Sequence, residues 1–112
     1  MKLIIAVVRP YRLQEVKEAL SKVGVTGLTV TDVRGAGKQK GQIERYRGSE
    51  YNVDLIAKCK IEVAISDDHT EEVLEAIRKS AYTGEIGDGK IFVLTLDEGM
   101  RIRTGERGED SL

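Results

Sequence analysis

Residues 3 to 27 of this chain align with residues 60 to 84 at a constant offset of 57, and that repeat limits the possible folds more than any other feature. Ile4, Ala6 and Val8 fall on Ile61, Val63 and Ile65; Glu15-Val16 falls on Glu72-Val73, Glu18-Ala19-Leu20 on Glu75-Ala76-Ile77, and Thr26-Gly27 on Thr83-Gly84. Each copy opens on an apolar stretch of strand length. It continues with a stripe at helical spacing, Leu13, Val16, Leu20 and Val23 in the first copy and Val73, Leu74 and Ile77 in the second. Pro10 stops the first strand, having no N–H to give a ladder, and Gly24 stands just past the first helix, where a left-handed cap is commonly needed. Two strand-helix-strand units in series predict an α+β fold of order βαββαβ, the ferredoxin-like arrangement with an antiparallel four-stranded sheet. Right-handed crossovers then place both helices on one sheet face.

The second face also needs a cover. In Leu3-Ile4-Ile5-Ala6-Val7-Val8 and again from Ile91 to Leu96 nearly every position is apolar, so both faces of these strands read as buried. Two helices shield only one of them, and the expected remedy is a homo-oligomer joined sheet face to sheet face. The 112 residues make a single domain, 1–112, with room for one core. Its 18 basic side chains nearly cancel its 19 acidic ones, which removes the electrostatic case for nucleic acid. Cys59, the one cysteine, lies in an apolar run and reads as a small buried hydrophobe. No apolar stretch approaches the ~18 residues that a bilayer span needs, and the N-terminus lacks a signal-peptide cleavage pattern, so the expected compartment is the cytoplasm.

Two stretches interrupt the repeat. One is a long loop, about 36–56, between the second and third strands, where a hairpin turn of a few residues would suffice. Loops of about 20 residues without a regular element are uncommon in small domains and are usually functional or disordered. The other is Glu85 to Gly89, which follows Thr83-Gly84 and has no counterpart after Thr26-Gly27. With Lys90 it forms a glycine-lysine turn able to wrap an anion, since glycine lets backbone N–H groups approach a phosphate closely. Gly84-x-x-x-x-Gly89-Lys90 matches most of a Walker A motif, yet Ile91 stands where that motif needs a magnesium-binding hydroxyl. Strand formers follow it, not a helix. Three readings remain open on the residues alone: a nucleotide-binding sensor, a small ATPase or phosphotransferase using the 84–90 loop, and a structural subunit whose glycines only make a tight turn. No general base or paired carboxylates accompany the loop, which weighs against the second.

Three stretches together resemble the PII signal-transduction proteins of nitrogen regulation, the GlnB and GlnK group: Thr-Gly-x-Ile-Gly-Asp-Gly-Lys-Ile-Phe at 83–92, Tyr-Arg-Gly-x-Glu-Tyr at 46–51 and Arg-Ile-Arg-Thr-Gly-Glu at 101–106. The likeness covers essentially the whole chain and implies a non-enzymatic homotrimer with one nucleotide site in each intersubunit cleft. It assigns ATP or ADP phosphates to Gly87, Asp88, Gly89 and Lys90, with Arg101 and Arg103 completing the site. An Arg-x-Arg in extended chain puts both guanidinium groups on one side, which suits that role. Thr29, Gly35, Glu62 and Ala64 match adenine and ribose contacts, Ala64 offering a smaller apolar wall than the family's usual valine. Lys38 stands for an arginine of the nucleotide site and supplies a point charge without a fork.

The resemblance further implies that Mg2+ bridges ATP and 2-oxoglutarate, with Gln39 as its protein ligand, Lys58 pairing with a carboxylate of the acid, and Lys40 and Gly41 completing the acid pocket. The long loop is the part that partners read. Tyr51 matches a tyrosine that some relatives carry in modified form, and Arg47 matches a loop-tip arginine that meets an ammonium transporter; glutamine synthetase and other nitrogen-metabolism proteins are further implied partners. Such a protein is cytoplasmic and peripheral to the membrane only through a transporter. Glu85, often lysine in the family, is expected to point outward, and the short C-terminal tail, about 105–112, is expected to be mobile.

Overall fold

A computed structural model describes residues 1–37, 43–46, 49–52 and 55–112 of the chain. Its elements are β1 (Lys2–Val8), α1 (Leu13–Lys22), β2 (Thr29–Gly35), β3 (Ile43–Tyr46), β4 (Ser49–Asn52), β5 (Ile56–Ile65), α2 (Thr70–Ala81) and β6 (Lys90–Thr95), with short 3-10 turns at Pro10–Arg12, Asp67–His69 and Gly108–Ser111. β2, β5, β1 and β6 lie side by side in that order, every neighbouring pair antiparallel, which is the ferredoxin-like sheet the repeat predicts.

The equivalent positions of the repeat do equivalent work. Ile4, Ala6 and Val8 of β1 and Ile61, Val63 and Ile65 of β5 are buried beneath Val16 and Leu20 of α1 and Val73 and Ile77 of α2, so both helices cover one face. Leu13, Val23 and Leu74 pack at the margin of this core. Cys59 is buried there as well, its thiol 3.8 Å from Asp32 Oδ1, and burial first, then the Asp32 carboxylate, push the thiol pKa up. The first helix ends as its sequence requires. Gly24 takes φ +87°, Val25 N donates to Leu20 O at 2.9 Å and Gly24 N to Ser21 O at 3.1 Å, the paired bonds of a Schellman cap.

Leu20 and Ile77 are fully buried at matching places in the two halves. Leu20→Ala and Ile77→Ala are each expected to cost about 2–5 kcal/mol, by lost burial plus the cavity left behind. Thermal or urea unfolding checks this. A loss under about 1 kcal/mol at either site would mean that the two-helix layer collapses onto the gap.

The opposite sheet face is open. Residues directly paired across antiparallel strands share a face, so the registers define rows on it: Leu94, Leu3 and Ala64; Phe92, Ile5, Glu62 and Thr29; Lys90, Val7, Lys60 and Thr31; then Lys58 and Val33. Phe92 and Leu94 remain 52% and 46% exposed. In one chain the second face is thus apolar in its middle and uncovered.

The long loop, about 36–56, separates β2 from β5 as expected, and within it β3 and β4 pair antiparallel, Ile43 with Asn52 and Tyr46 with Ser49, as a separate two-stranded ribbon. The tail, expected to be mobile, makes ordered contacts. Gly108–Ser111 coils into a 3-10 turn tied down by Arg107 Nη2 to Glu98 Oε2 (2.9 Å), by Gly108 N to Gly99 O (3.0 Å) and Glu98 Oε1 (3.0 Å), and by Arg101 Nη2 to Leu112 O (2.7 Å). Glu98, whose backbone hydrogen bonds from Gly99 and Gly108 lower its pKa, is the residue that sequence reading had no reason to choose. Among the described residues no helix is long and apolar enough to cross a membrane.

Candidate functional site

The glycine-lysine turn leaves α2 at Tyr82 and re-enters the sheet at Lys90, whose partner across the ladder is Val7 of β1. This places it against the C-terminal end of β1 and the start of β5. Gly89 makes the approach possible. A Cβ on Gly89 would lie 1.7 Å from the Val7 carbonyl oxygen, and its φ of +99° is one that only glycine adopts freely.

Asp88 organises the turn from within. Its carboxylate accepts from Thr83 N (2.7 Å), Gly84 N (2.9 Å) and the Thr83 hydroxyl, and it pairs with Arg9 Nε at 3.1 Å. Burial by itself would raise the Asp88 pKa, but these hydrogen bonds outweigh it and hold the group well below the usual carboxylate range. The five inserted residues are thus closed into a ring by Thr83 and Asp88. Two cations hold the ring to the sheet: Arg9 Nη2 donates to Ile86 O at 2.8 Å, and Lys58 Nζ donates to Gly87 O. Lys58 lies inside β5, not at its border, and is only 7% exposed. Burial, then the neighbouring Arg9 charge, lowers its pKa, with Asp88 opposing. Its stem runs past Gly35 of β2, where an added Cβ would sit 3.7 Å from Lys58 Cγ. Gly84, Ile86, Gly89 and Lys90 stay at the surface, and Glu85 is exposed as expected.

Of the residues matched to adenine and ribose, Gly35 lies beside Lys58 and the other three gather separately. Thr29 and Glu62 are direct partners across β2 and β5, and with Ala64 they line a groove of about 530 Å³ completed by Leu3, Leu28, Ser111 and Leu112. The structure therefore brings Gly35, Lys58, Gly87, Asp88, Gly89 and Lys90 together at one end of the open face, and Thr29, Glu62 and Ala64 toward the other. Neither Arg101 nor Arg103 joins the turn, and Arg101 reaches the second group only through Leu112 at the rim of its groove. The expectation of an extended Arg-x-Arg is corrected, because the chain turns at Ile102–Thr104, with Gly105 N bonded to Arg101 O at 2.7 Å. In a turn, side chains two apart do not share a side, so the alternation argument fails there. Arg101 is engaged with the Leu112 carbonyl, Arg103 is exposed, and Ile102 between them is fully exposed.

Lys38, Gln39, Lys40, Gly41 and Arg47 lie outside the described residues. Tyr51 belongs to β4, where its backbone pairs with Glu44. His69 sits at the N-cap of α2, exposed and without a side-chain capping bond. Two side chains that shape the turn escape a reading of the sequence, Arg9 and Thr83. Arg9 had a signal available, since it aligns with Ser66 in the repeat and so adds a charge on which the second half does not insist.

The fold and the site together define a ferredoxin-like protein in which an inserted glycine-lysine turn, pinned by the partly buried Arg9–Asp88 pair and by Lys58, lies at one end of an uncovered sheet face. The family model "Nitrogen regulatory protein P-II" matches residues 1–106, and the chain belongs to that family. It is 54% identical to "Nitrogen regulatory protein GlnK" of Escherichia coli (strain K12) over 112 residues, covering the full length of both chains. Over the same full length it is 55% identical to "Nitrogen regulatory protein P-II" of Bradyrhizobium diazoefficiens and 56% identical to the protein of that name from Mesorhizobium japonicum. The chain is accordingly a regulatory signal-transduction protein of nitrogen metabolism and not an enzyme.

Proposed function

We propose that the chain senses energy and nitrogen status by binding ATP or ADP and 2-oxoglutarate as a homotrimer, and that it passes the result to partners through the 36–56 loop. The observation that carries this reading is the turn at 83–90: a glycine backbone held at the surface by Arg9, Lys58 and Asp88, ending in exposed Lys90. Backbone N–H groups and one cation suit a phosphate chain. The half-exposed apolar face supports the trimer, and the separation of Thr29, Glu62 and Ala64 from the 83–90 turn supports a cleft completed by a second subunit.

Lys58 and Gly35 link the two ligands. In this reading Lys58, tied to the Gly87 carbonyl, exchanges that acceptor for a carboxylate of 2-oxoglutarate, so the acid and the nucleotide turn share one side chain. Each ligand acts through its different affinity for two loop arrangements, a population shift. Among the described residues no three His, Cys, Asp or Glu side chains gather to hold a metal, so Mg2+ would take its oxygens mainly from the phosphates and the keto acid, with Gln39 as its protein ligand. When bound, the ion neutralises phosphate charge and fixes the acid beside the nucleotide. Lys38, Lys40 and Gly41 complete the two pockets in this proposal. Arg47 and Tyr51 offer the loop to an ammonium transporter, to glutamine synthetase or to a modifying enzyme, in the cytoplasm or at the membrane surface.

Titration calorimetry with ATP, with and without Mg2+ and 2-oxoglutarate, tests the proposal. Gln39→Ala is expected to weaken 2-oxoglutarate uptake by about tenfold or more, the equivalent of ~1.4 kcal/mol, while ATP binding without the acid survives. If both ligands bind this variant as they bind the wild type, the assignment of Gln39 to the metal is wrong.

A further inference from the structure

We infer that Arg9 is the positioning residue of the phosphate turn: it touches no ligand itself and acts through Asp88 and the Ile86 carbonyl to hold the 83–90 backbone in its anion-accepting shape. This rests on the nucleotide reading above and names the side chain that makes that site possible. The geometry is unusual for a surface turn. Three successive residues, Ile86, Gly87 and Asp88, each direct an oxygen at a cation rooted in the sheet, two of them to Arg9 and one to Lys58. Turning the Ile86 carbonyl toward the sheet directs the Gly87 N–H of the same peptide plane the opposite way, and that N–H has no acceptor among the described residues.

The sequence prepares Arg9 for this task. A residue preceding proline is confined to extended backbone, and Arg9 before Pro10 sits at φ −65°, ψ 137°. Pro10 then starts a 3-10 turn whose first bond runs from Arg12 N to Arg9 O at 3.0 Å, which anchors the Arg9 backbone from the other side. The guanidinium can grip the carboxylate through Nε and the carbonyl through Nη2 at once, a fork that an ammonium cannot reproduce. Both partners are little exposed, at 21% and 23% of their side chains, so solvent screens the pair only in part.

Calorimetry with ATP as the probe tests the inference on wild type, Arg9→Met, Arg9→Lys, Asp88→Asn and the Arg9→Met/Asp88→Asn double variant. Arg9→Met is expected to weaken ATP about tenfold or more, and Arg9→Lys to recover part of that loss. Because Arg9 acts through Asp88, the double variant should be little worse than the poorer single one. The pH profile separates positioning from general stability. Asp88 has a depressed pKa in the folded protein, so its contribution is present above that value and is lost as pH falls through it. The charged groups facing it are Arg9 from the end of β1 and Lys58 from β5, with Thr83 and Gly84 donating from its own turn. Without Arg9 the Asp88 pKa rises, and the affinity ratio of Arg9→Met to wild type should fall further as pH is lowered, ATP's own protonation cancelling in the ratio. Unchanged ATP affinity in Arg9→Met overturns the inference, as do additive losses in the double variant, which would place Arg9 on the ligand directly. Wild-type protein that takes up no ATP overturns the nucleotide reading itself, a result distinct from either. If Arg9→Met fails to fold, Arg9→Lys and Asp88→Asn decide the matter by the same measurements.

Discussion

Gly89→Ala is expected to be the most damaging single-methyl change available in the described part of the chain. The new Cβ would fall 1.7 Å from the Val7 carbonyl oxygen and 2.8 Å from its carbon, and both are backbone atoms in the central strand of the sheet. No rotamer change relieves such a contact. Either β6 lifts off β1 at its first residue or Gly89 abandons φ +99°, and in both cases the turn leaves the position that Lys58 and Arg9 hold. Adding left-handed strain of about 1 kcal/mol to overpacking of about 1–3 kcal/mol gives a loss of roughly 2–4 kcal/mol. For a domain of this size that is a drop of roughly 10 °C or more in Tm. Two other glycines serve as controls. Gly84→Ala meets only the movable Tyr82 side chain at φ +89° and should show the strain alone, about 1 kcal/mol. Gly27→Ala has nothing within 4 Å and no positive φ and should be within about 0.5 kcal/mol of wild type. Calorimetric unfolding of the three variants gives the ranking, and Gly89→Ala with a wild-type Tm would show that the turn does not approach β1 this closely in solution. ATP binding should be lost in Gly89→Ala.

The sheet and its two helices were legible because a repeat and a period are properties of residue order. Leu20 and Ile77 occupy equivalent buried positions for the reason they align at an offset of 57: each is the inward residue of a helix that must cover the same two central strands. Gly24 was legible for a local reason, a helix end needing a left-handed residue. The site was legible only in outline. Glycine spacing marks a tight backbone, but nothing local says that Asp88 turns inward to Thr83 and Arg9 or that Lys58 spends its ammonium on the Gly87 carbonyl; those pairings join residues 79 and 29 positions apart. The arginine pair differs for the opposite reason. Period-two alternation holds only in extended chain, whereas Gly105 closes a turn back to Arg101. The tail reads as loose because its anchor, Glu98, lies outside it.

Phe92→Asp is expected to convert the proposed homotrimer to single chains while leaving the fold of each chain intact. Within one chain Phe92 is 52% exposed and lies on edge strand β6 opposite Ile5, next to the row of Leu94, Leu3 and Ala64. Its loss therefore removes little from the chain's own core. An apolar strip this exposed is a poor surface for water: the row of Leu94, Leu3 and Ala64 is apolar from β6 across β1 to β5, and Phe92 and Ile5 extend it over β6 and β1. Full burial of a phenylalanine contributes about 1.5–3 kcal/mol relative to exposure, and a carboxylate carried into the same place must be neutralised or expelled. A cyclic trimer meets that cost three times. Light scattering should give three times the 12.4 kDa chain mass for wild type and one chain mass for Phe92→Asp, with far-UV circular dichroism unchanged. A trimeric Phe92→Asp would take this row out of the interface, and a monomeric wild type at micromolar concentration would refute the trimer. The same variant tests where the nucleotide sits. If the turn at 83–90 alone sufficed, isolated chains would bind ATP as the trimer does. If the site needs Arg101 and Arg103 or the Thr29–Glu62 groove from a neighbouring copy, affinity falls together with the molecular mass, because in one chain those residues and the turn occupy separate places.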